Sequence, residues 1–216
     1  MRNDRGVIFD MDGVLINSEP VHCRAFQDVL AAYAVILTER QYFESYLVYS
    51  DREVLERLLP AGQSLDVAVA AKERRYLTLL ADGVPAFPDG VALLAKCDGW
   101  RVGLATGSNR REAELALWTL GIRQRFACVV AREDYDKGKP DPEPYLRAAQ
   151  GLGLSPRRCV VIEDTPGGLR AARAAGMVAV AVTHSCPREH LGEADLVVED
   201  LAAVDLGVLL SDGGSS

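Results

Sequence analysis

The hydrophobic pattern of the first part of the chain changes from a short apolar run to helical periodicity. The run from Gly6 to Phe9 is typical of a strand buried in a parallel sheet. Apolar residues then recur at helical spacing from Val21 to Ala32. Further helices are predicted at Thr38 to Tyr46, Asp51 to Leu59 and Leu65 to Leu80. Consecutive helices without a strand cannot belong to an alternating sheet, so we expect them to form a small bundle.

From residue 89 onward the pattern alternates between helices and strands. The predicted helices are Asp89 to Cys97, Arg110 to Leu120, Pro142 to Gly151 and Gly167 to Ala175. The predicted strands are Arg101 to Ala105, Ala127 to Val130, Cys159 to Ile162, Val178 to Val182 and Leu196 to Val198. Such alternation indicates parallel strands joined by crossover helices.

These elements predict an α/β fold with a hinge-like composition at residues 81–88. We expect a Rossmann-like parallel sheet core over residues 1–15 and 86–216. A small four-helix cap domain is inserted over residues 16–85, where it is expected to act as a lid that excludes water. The tail, residues 211–216, is expected to be disordered.

Composition and charge limit the classes of function. The 216-residue chain carries a formal charge of −7 and no broad basic face, which argues against a nucleic-acid partner. The five cysteines show no metal-binding spacing and are expected to be reduced thiols. No apolar run reaches membrane-spanning length and the N-terminus lacks a signal-peptide pattern. We expect a cytoplasmic enzyme without a membrane partner, either a monomer or a small homo-oligomer.

Two carboxylates, Asp10 and Asp12, follow the first predicted strand. Residues two apart in an extended segment point the same way, so both can face one cleft while Met11 packs behind them. Crowded carboxylates repel, which favours a bound divalent cation or a shared proton. The alternative is a strand that ends in a solvated acidic turn.

Hydroxyl residues and a lysine mark two later loops. Thr106, Gly107, Ser108 and Asn109 lie between a strand and a helix, where free N–H groups and the helix dipole favour an anion. Simple capping by Ser108 or Asn109 would also explain this pattern. Lys137 and Lys139 lie in a loop before a helix, and either could supply the cation that a phosphate would need near acidic groups.

A second pair of acids, Glu163 and Asp164, ends a later predicted strand and precedes two glycines. The alternative is that Asp164 caps the helix and Glu163 is solvated. Together with Asp10 and Asp12 they would place four carboxylates at neighbouring strand ends. Oxygen ligands and a phosphate partner favour Mg²⁺, so these four residues are the candidate metal ligands.

The motifs match one known family in order along the chain. The strings FDMDGVL, TGS, GKP and ED resemble the four motifs of the haloacid dehalogenase-like superfamily of aspartyl-phosphate enzymes. The resemblance implies that Asp10 is the nucleophile and Asp12 the general acid and base. It also implies that Thr106 binds the phosphoryl group together with Lys139, with Lys137 as the weaker candidate. Asp164 is then expected to bind the metal directly, with Glu163 direct or through water.

The cap suggests a branch of that superfamily. Ser18 stands at a helix start and lies on the same helix face as His22. Both side chains could reach the cleft, although a lone histidine is more often a packing or surface residue. The chain resembles the β-phosphoglucomutase-like branch, which implies that His22 contacts Asp12 or the sugar and that Arg52 and Lys72 bind the distal group of the substrate. Asp51 interrupts the mutase pattern before Arg52.

Three functions remain open from the sequence. The first is a Mg²⁺-dependent phosphatase for a small sugar phosphate or similar metabolite. The second is a hexose-phosphate mutase, in which a sugar hydroxyl accepts the phosphoryl group. The third is a non-catalytic phosphate-binding or regulatory protein.

Overall fold

The computed structural model describes residues 4–47 and 49–210, which divide into two compact units. One unit is Ser18–Val84, and the other contains the described chain before and after it, up to Asn17 and from Pro85. The boundaries predicted from the sequence, 15/16 and 85/86, lie one or two residues away from these. The tail predicted to be disordered lies outside the described residues.

The larger unit is built on a parallel sheet of six strands. In chain order the strands are β1 (Gly6–Phe9), β2 (Arg101–Ala105), β3 (Cys128–Val130), β4 (Cys159–Glu163), β5 (Val178–Val182) and β6 (Leu196–Val198). Their spatial order is β3-β2-β1-β4-β5-β6, and every neighbouring pair is parallel. The predicted α/β fold with a parallel sheet is therefore confirmed.

Helices connect the strands of this unit. They are α5 (Pro88–Ala95), α6 (Arg110–Thr119), α7 (Glu143–Leu152), α8 (Pro166–Ala174) and a short α9 (Leu206–Leu209) that the periodicity did not predict. Helix α7 packs on the first three strands and α8 on β4 and β5. The strand β1, which is fully buried, has β2 on one side and β4 on the other. The carboxyl ends of these three strands therefore meet at the middle of one sheet edge.

The smaller unit is helical, as predicted. Its helices are α1 (Glu19–Ala31), α2 (Glu39–Ser45), α3 (Asp51–Leu58) and α4 (Leu65–Asp82). Thr38 and Ser50 form capping boxes at the starts of α2 and α3. Ser18 occupies the N-cap position of α1 but its side chain makes no capping hydrogen bond. The unit has its own hydrophobic core, which includes Phe26, Leu30, Leu55 and Ala68.

All five cysteines are free thiols, in agreement with the expectation from their spacing. None of the helices in the described part of the chain is long and apolar enough to cross a membrane.

Candidate active site

The carboxyl end of β1 carries the first two acids. The Asp10 N–H still donates to the carbonyl of Ile162 at 2.9 Å, so Asp10 continues the register of the sheet. Asp10 and Met11 are buried, whereas Asp12 is partly exposed. Met11, which was expected to pack behind the two carboxylates, is only 1% exposed.

Lys139 reaches this strand end from its loop. Its Nζ lies 2.6 Å from Asp10 Oδ1 and 2.7 Å from Glu163 Oε1. Burial raises the pKa of Asp10 to about 7, and Glu163 and Asp12 add to this although Lys139 opposes it. Burial alone would lower the pKa of Lys139, but Asp10 and Glu163 hold it well above its ordinary value. Lys139 therefore remains a cation beside the candidate nucleophile, whereas the side chain of Lys137 is exposed.

Glu163 is the anchor of this lysine. Its Oε1 accepts from Lys139 and from the Tyr145 hydroxyl at 2.8 Å, and its Oε2 accepts from the N–H groups of Asp164 and Thr165 and from the Thr165 hydroxyl. Burial would raise the pKa of Glu163, but Lys139 and these donors lower it below its usual value. The carboxylate is therefore ionised, and both of its oxygens accept hydrogen bonds. The alternative in which Glu163 is solvated is wrong.

The carboxylates of Glu163 and Asp164 each pack against a glycine that has no side chain to displace them. Gly13 adopts a φ of +79°, and an ideal Cβ there would lie 1.8 Å from Asp164 Oδ2. A Cβ on Gly168 would lie 1.6 Å from Glu163 Oε1. Side chains at these positions would therefore displace the carboxylates.

Asp10, Glu163 and Asp164 form a buried acidic group among the described residues, each offering an oxygen within 4.8 Å of the others. Asp164 Oδ1 is buried and has no hydrogen-bond partner in the described structure. Burial raises the pKa of Asp164 to about 8, with Glu163 and Asp10 adding to the effect. Three carboxylates against the single ammonium of Lys139, with one unpartnered oxygen, fit a hard divalent cation.

Asp12, which was also predicted as a metal ligand, lies outside this acidic group. Its Oδ2 accepts from the Ser108 hydroxyl at 2.8 Å and from the Thr106 hydroxyl at 3.4 Å. Thr106 in turn accepts from the Ser108 N–H at 3.0 Å. The two hydroxyl residues after β2 are therefore brought to the side chain of Asp12, and the role of Asp12 as a metal ligand stays a prediction.

The choice between Ser108 and Asn109 as the helix cap is decided by the structure. The Asn109 side chain accepts from the Glu112 N–H at 2.9 Å and caps α6. Ser108 is thus left to bond Asp12. Gly107 is exposed, and a Cβ added to it would have no neighbour within 4 Å.

A second polar cluster lies within the helical unit. Lys72 is only 1% exposed, and its Nζ lies 2.5 Å from Asp51 Oδ2 and 2.6 Å from His22 Nδ1. The ammonium also lies over the rings of Phe26 and Tyr76, 4.8 Å from each centroid. His22 stacks on Tyr76 with centroids 4.0 Å apart. Of the predicted cap residues, Lys72 and His22 are therefore brought together.

The other two predicted cap residues lie elsewhere in that unit. Arg52 forms an exposed ion pair with Asp66 at 2.7 Å. Ser18 is buried at the start of α1. Asp51 was treated in the sequence only as an interruption before Arg52, whereas the structure makes it the partner of Lys72, a pairing across 21 residues that no local pattern signals.

Sequence reasoning also missed three residues around the acids of the larger unit. Tyr145 bonds Glu163, Ser185 bonds Asp164, and His184 Nδ1 lies 2.8 Å from the Gly13 carbonyl oxygen. His184 and Ser185 follow β5, and the rule that parallel strands end at the site would have found them. Tyr145 had no such signal.

The chain is similar to known hydrolases over most of its length. The model of the haloacid dehalogenase-like hydrolase family matches residues 5–176. The validoxylamine A 7'-phosphate phosphatase of Streptomyces hygroscopicus subsp. limoneus is 34% identical over 91% of this chain and 94% of that protein. The fructose-1-phosphate phosphatase YqaB of Escherichia coli is 35% identical over 82% of this chain and 95% of that protein.

Solved structures show the same fold. CbbY from Rhodobacter sphaeroides, solved in complex with phosphate, superposes with a TM-score of 0.80 at 28% identity and covers 95% of this chain and 98% of its own. A β-phosphoglucomutase from Clostridium difficile gives a TM-score of 0.73 at 25% identity, covering 94% of each chain.

The fold is a parallel sheet with helices around it, and the buried acids lie at the carboxyl ends of its strands. The chain belongs to the haloacid dehalogenase-like hydrolase family, which confirms the resemblance of its motifs.

Proposed function

We propose that the protein is a Mg²⁺-dependent phosphatase that hydrolyses a small sugar phosphate or a similar monoester through a phosphoryl group carried on Asp10. The observation that carries this proposal is the ion pair of Asp10 with Lys139 beside the unpartnered oxygen of Asp164. Both named phosphatases among the relatives match the chain over most of its length, which supports the substrate class.

The proposed first step is in-line attack of an Asp10 oxygen on phosphorus. The bond to the leaving oxygen breaks, and that oxygen takes a proton from Asp12. Asp12, now ionised, takes a proton from water as the water attacks the phosphorus of the aspartyl phosphate. The bond between phosphorus and the Asp10 oxygen breaks, inorganic phosphate leaves, and both aspartates return to their initial states.

The neighbouring residues stabilise the charge of the transferring group. The ammonium of Lys139, held at 2.7 Å by Glu163, offsets the phosphate charge. The hydroxyl of Thr106 and the N–H groups around Gly107 are the proposed donors to phosphate oxygens. Asp10 and Asp164, with Glu163 in the same acidic group, would hold the cation, which when bound supplies positive charge and favours the ionised form of the carboxylates.

Substrate choice is proposed to depend on further side chains. Ser108 and Asn109 contribute to phosphate binding through the loop after β2. In the helical unit, the residues proposed to select the substrate are Ser18, His22, Arg52 and Lys72. A change in substrate preference of a His22→Ala variant without loss of phosphatase activity would support this proposal.

A hexose-phosphate mutase is the second candidate, because the fold matches a solved β-phosphoglucomutase over 94% of each chain. In a mutase the sugar hydroxyl replaces water as the acceptor, and the reaction requires a sugar bisphosphate. A requirement for such an activator, with slow release of phosphate, would favour the mutase.

The test is a panel of phosphomonoesters that includes hexose 1- and 6-phosphates, assayed with Mg²⁺ and with EDTA. We expect phosphate release that depends on Mg²⁺ and falls at least about a thousandfold in Asp10→Asn. The fold should survive this change, because Asp10 has a raised pKa and accepts a neutral side chain at little cost. The exposed Asp98→Asn is the matched control and should retain activity. Ordinary activity in Asp10→Asn would refute the nucleophile, and failure to release phosphate from any ester would favour the non-catalytic alternative.

A further inference from the structure

The segment that follows β5 brings two side chains to the loops that carry the acids. His184 has three neighbours in the same unit: its Nδ1 lies 2.8 Å from the Gly13 carbonyl oxygen, its Nε2 lies 3.2 Å from Asp89 Oδ2, and its ring stacks on Phe87 with centroids 4.0 Å apart. The orientation of the imidazole is therefore fixed by a contact on each edge and on one face.

His184 fixes the backbone next to Asp12. A carbonyl oxygen can only accept, so the hydrogen of this bond lies on His184 Nδ1. The N–H of Gly13 meanwhile donates to the Ile16 carbonyl at 2.9 Å. Both polar groups of Gly13 are thus held, and its position determines the space available to Asp164, because a Cβ there would overlap Asp164 Oδ2.

Ser185 acts on Asp164 itself. Hydrogen bonding from its hydroxyl opposes the burial that raises the pKa of Asp164, and Asp164 Oδ1 has no hydrogen-bond partner in the described structure. A Cβ added to Gly13 would lie 1.8 Å from Asp164 Oδ2 and 2.6 Å from Ser185 Oγ, so these two oxygens lie close together beside Gly13. A carboxylate held through one oxygen keeps the other oxygen in a defined direction.

We propose that His184 and Ser185 are positioning residues for the divalent cation: Ser185 holds Oδ2 of Asp164, and His184 holds the Gly13 backbone against which Asp164 packs, so that Oδ1 remains directed at the ion. The inference rests on the proposed function, because it requires a cation at the acidic group. It adds residues that touch neither phosphate nor any reacting atom.

Direct titration with Mn²⁺, followed by the electron paramagnetic resonance of the free ion, tests the proposal without turnover. Ser185→Ala is expected to weaken Mn²⁺ binding by about 10- to 100-fold, the range typical of residues that orient metal ligands. His184→Ala should weaken it comparably, whereas His184→Asn, which keeps a donor near the position of Nδ1, should remain closer to the parent protein. Ser155→Ala and His190→Ala change exposed residues of the same unit and should bind as the parent does.

Unfolding by urea in EDTA separates positioning from folding. Since Ser185 is exposed, Ser185→Ala should unfold near the parent midpoint while its Mn²⁺ affinity falls. Unchanged Mn²⁺ affinity in both Ser185→Ala and His184→Ala would overturn the inference, even if stability or turnover were altered. If His184→Ala does not fold, Ser185→Ala and His184→Asn decide. A parent protein that binds no Mn²⁺ would instead overturn the proposed cation site together with this inference, a result that the titration of the parent distinguishes.

Discussion

The substitution Gly168→Ala tests whether the buried Glu163 carboxylate organises the site. An alanine Cβ would lie 1.6 Å from Oε1 and 1.9 Å from Cδ of Glu163. The carboxylate would have to retreat by about 1.4 Å to reach even a 3.0 Å contact. Its hydrogen bonds, which are 2.7 to 2.9 Å long, cannot survive such a shift together.

The cost follows from the charge of this group. Breaking a buried ion pair costs about 3–5 kcal/mol, and each hydrogen bond to a charged group contributes roughly 1.5–3 kcal/mol. These contributions overlap, so we expect the free energy of unfolding to fall by about 3–5 kcal/mol. Because a domain is typically stable by about 5–15 kcal/mol, this loss would be easily measured. Lys139 would lose an anchor, and phosphatase activity should fall with it.

Gly167→Ala is the matched control, one residue earlier in α8. A Cβ at Gly167 meets nothing within 4 Å, so stability should be unchanged or raised by about 0.4–1 kcal/mol through the loss of chain entropy in the unfolded state. Urea unfolding followed by circular dichroism, with phosphate release as a second readout, compares the two variants. Equal unfolding midpoints and equal activities would refute the assigned packing of Gly168 on Glu163. If Gly168→Ala is insoluble, Glu163→Gln tests the same carboxylate without added volume.

Two further predictions concern pH and the helical unit. The folded protein raises the pKa of Asp10 to about 7 and that of Asp164 to about 8, above the values of the unfolded chain. The metal-free protein therefore favours the protonated carboxyls, and its free energy of unfolding should fall as pH rises from about 4 to about 8. Mg²⁺ must displace these protons, so the rise in melting temperature caused by excess Mg²⁺ over EDTA should grow between pH 6 and 8; a constant rise would contradict the assignment. Asp51→Asn removes the negative charge that neutralises the buried Lys72, so the free energy of unfolding measured in urea should fall by about 2 kcal/mol. The loss is smaller than for a fully buried ion pair because the Asp51 side chain is 42% exposed. Asp66→Asn, which opens an exposed pair of the same unit, should cost less than about 1 kcal/mol, and equal losses would refute the distinction.

Local pattern determined the elements of this protein. The strands β1, β2, β5 and β6 begin and end at the predicted residues, because each is a short and mainly apolar run. Asp10, Thr106 and Asp164 each stand at the carboxyl end of a predicted parallel strand. Because such strand ends meet at one edge of the sheet, the sequence alone predicted that these residues lie near one another. The four-residue helix α9 is too short to show helical periodicity, so the sequence pattern did not predict it.

Only the tertiary structure decided what each polar side chain does. Glu163 and Asp164 are adjacent in sequence, yet the first is held by Lys139 and Tyr145 from other segments while the second keeps an oxygen without a partner. Asp51 and Lys72 likewise meet across 21 residues. Periodicity shows which face of an element is buried, but the partner of a buried charge depends on segments that are distant in the chain, and these are brought together only by the packing of the whole unit.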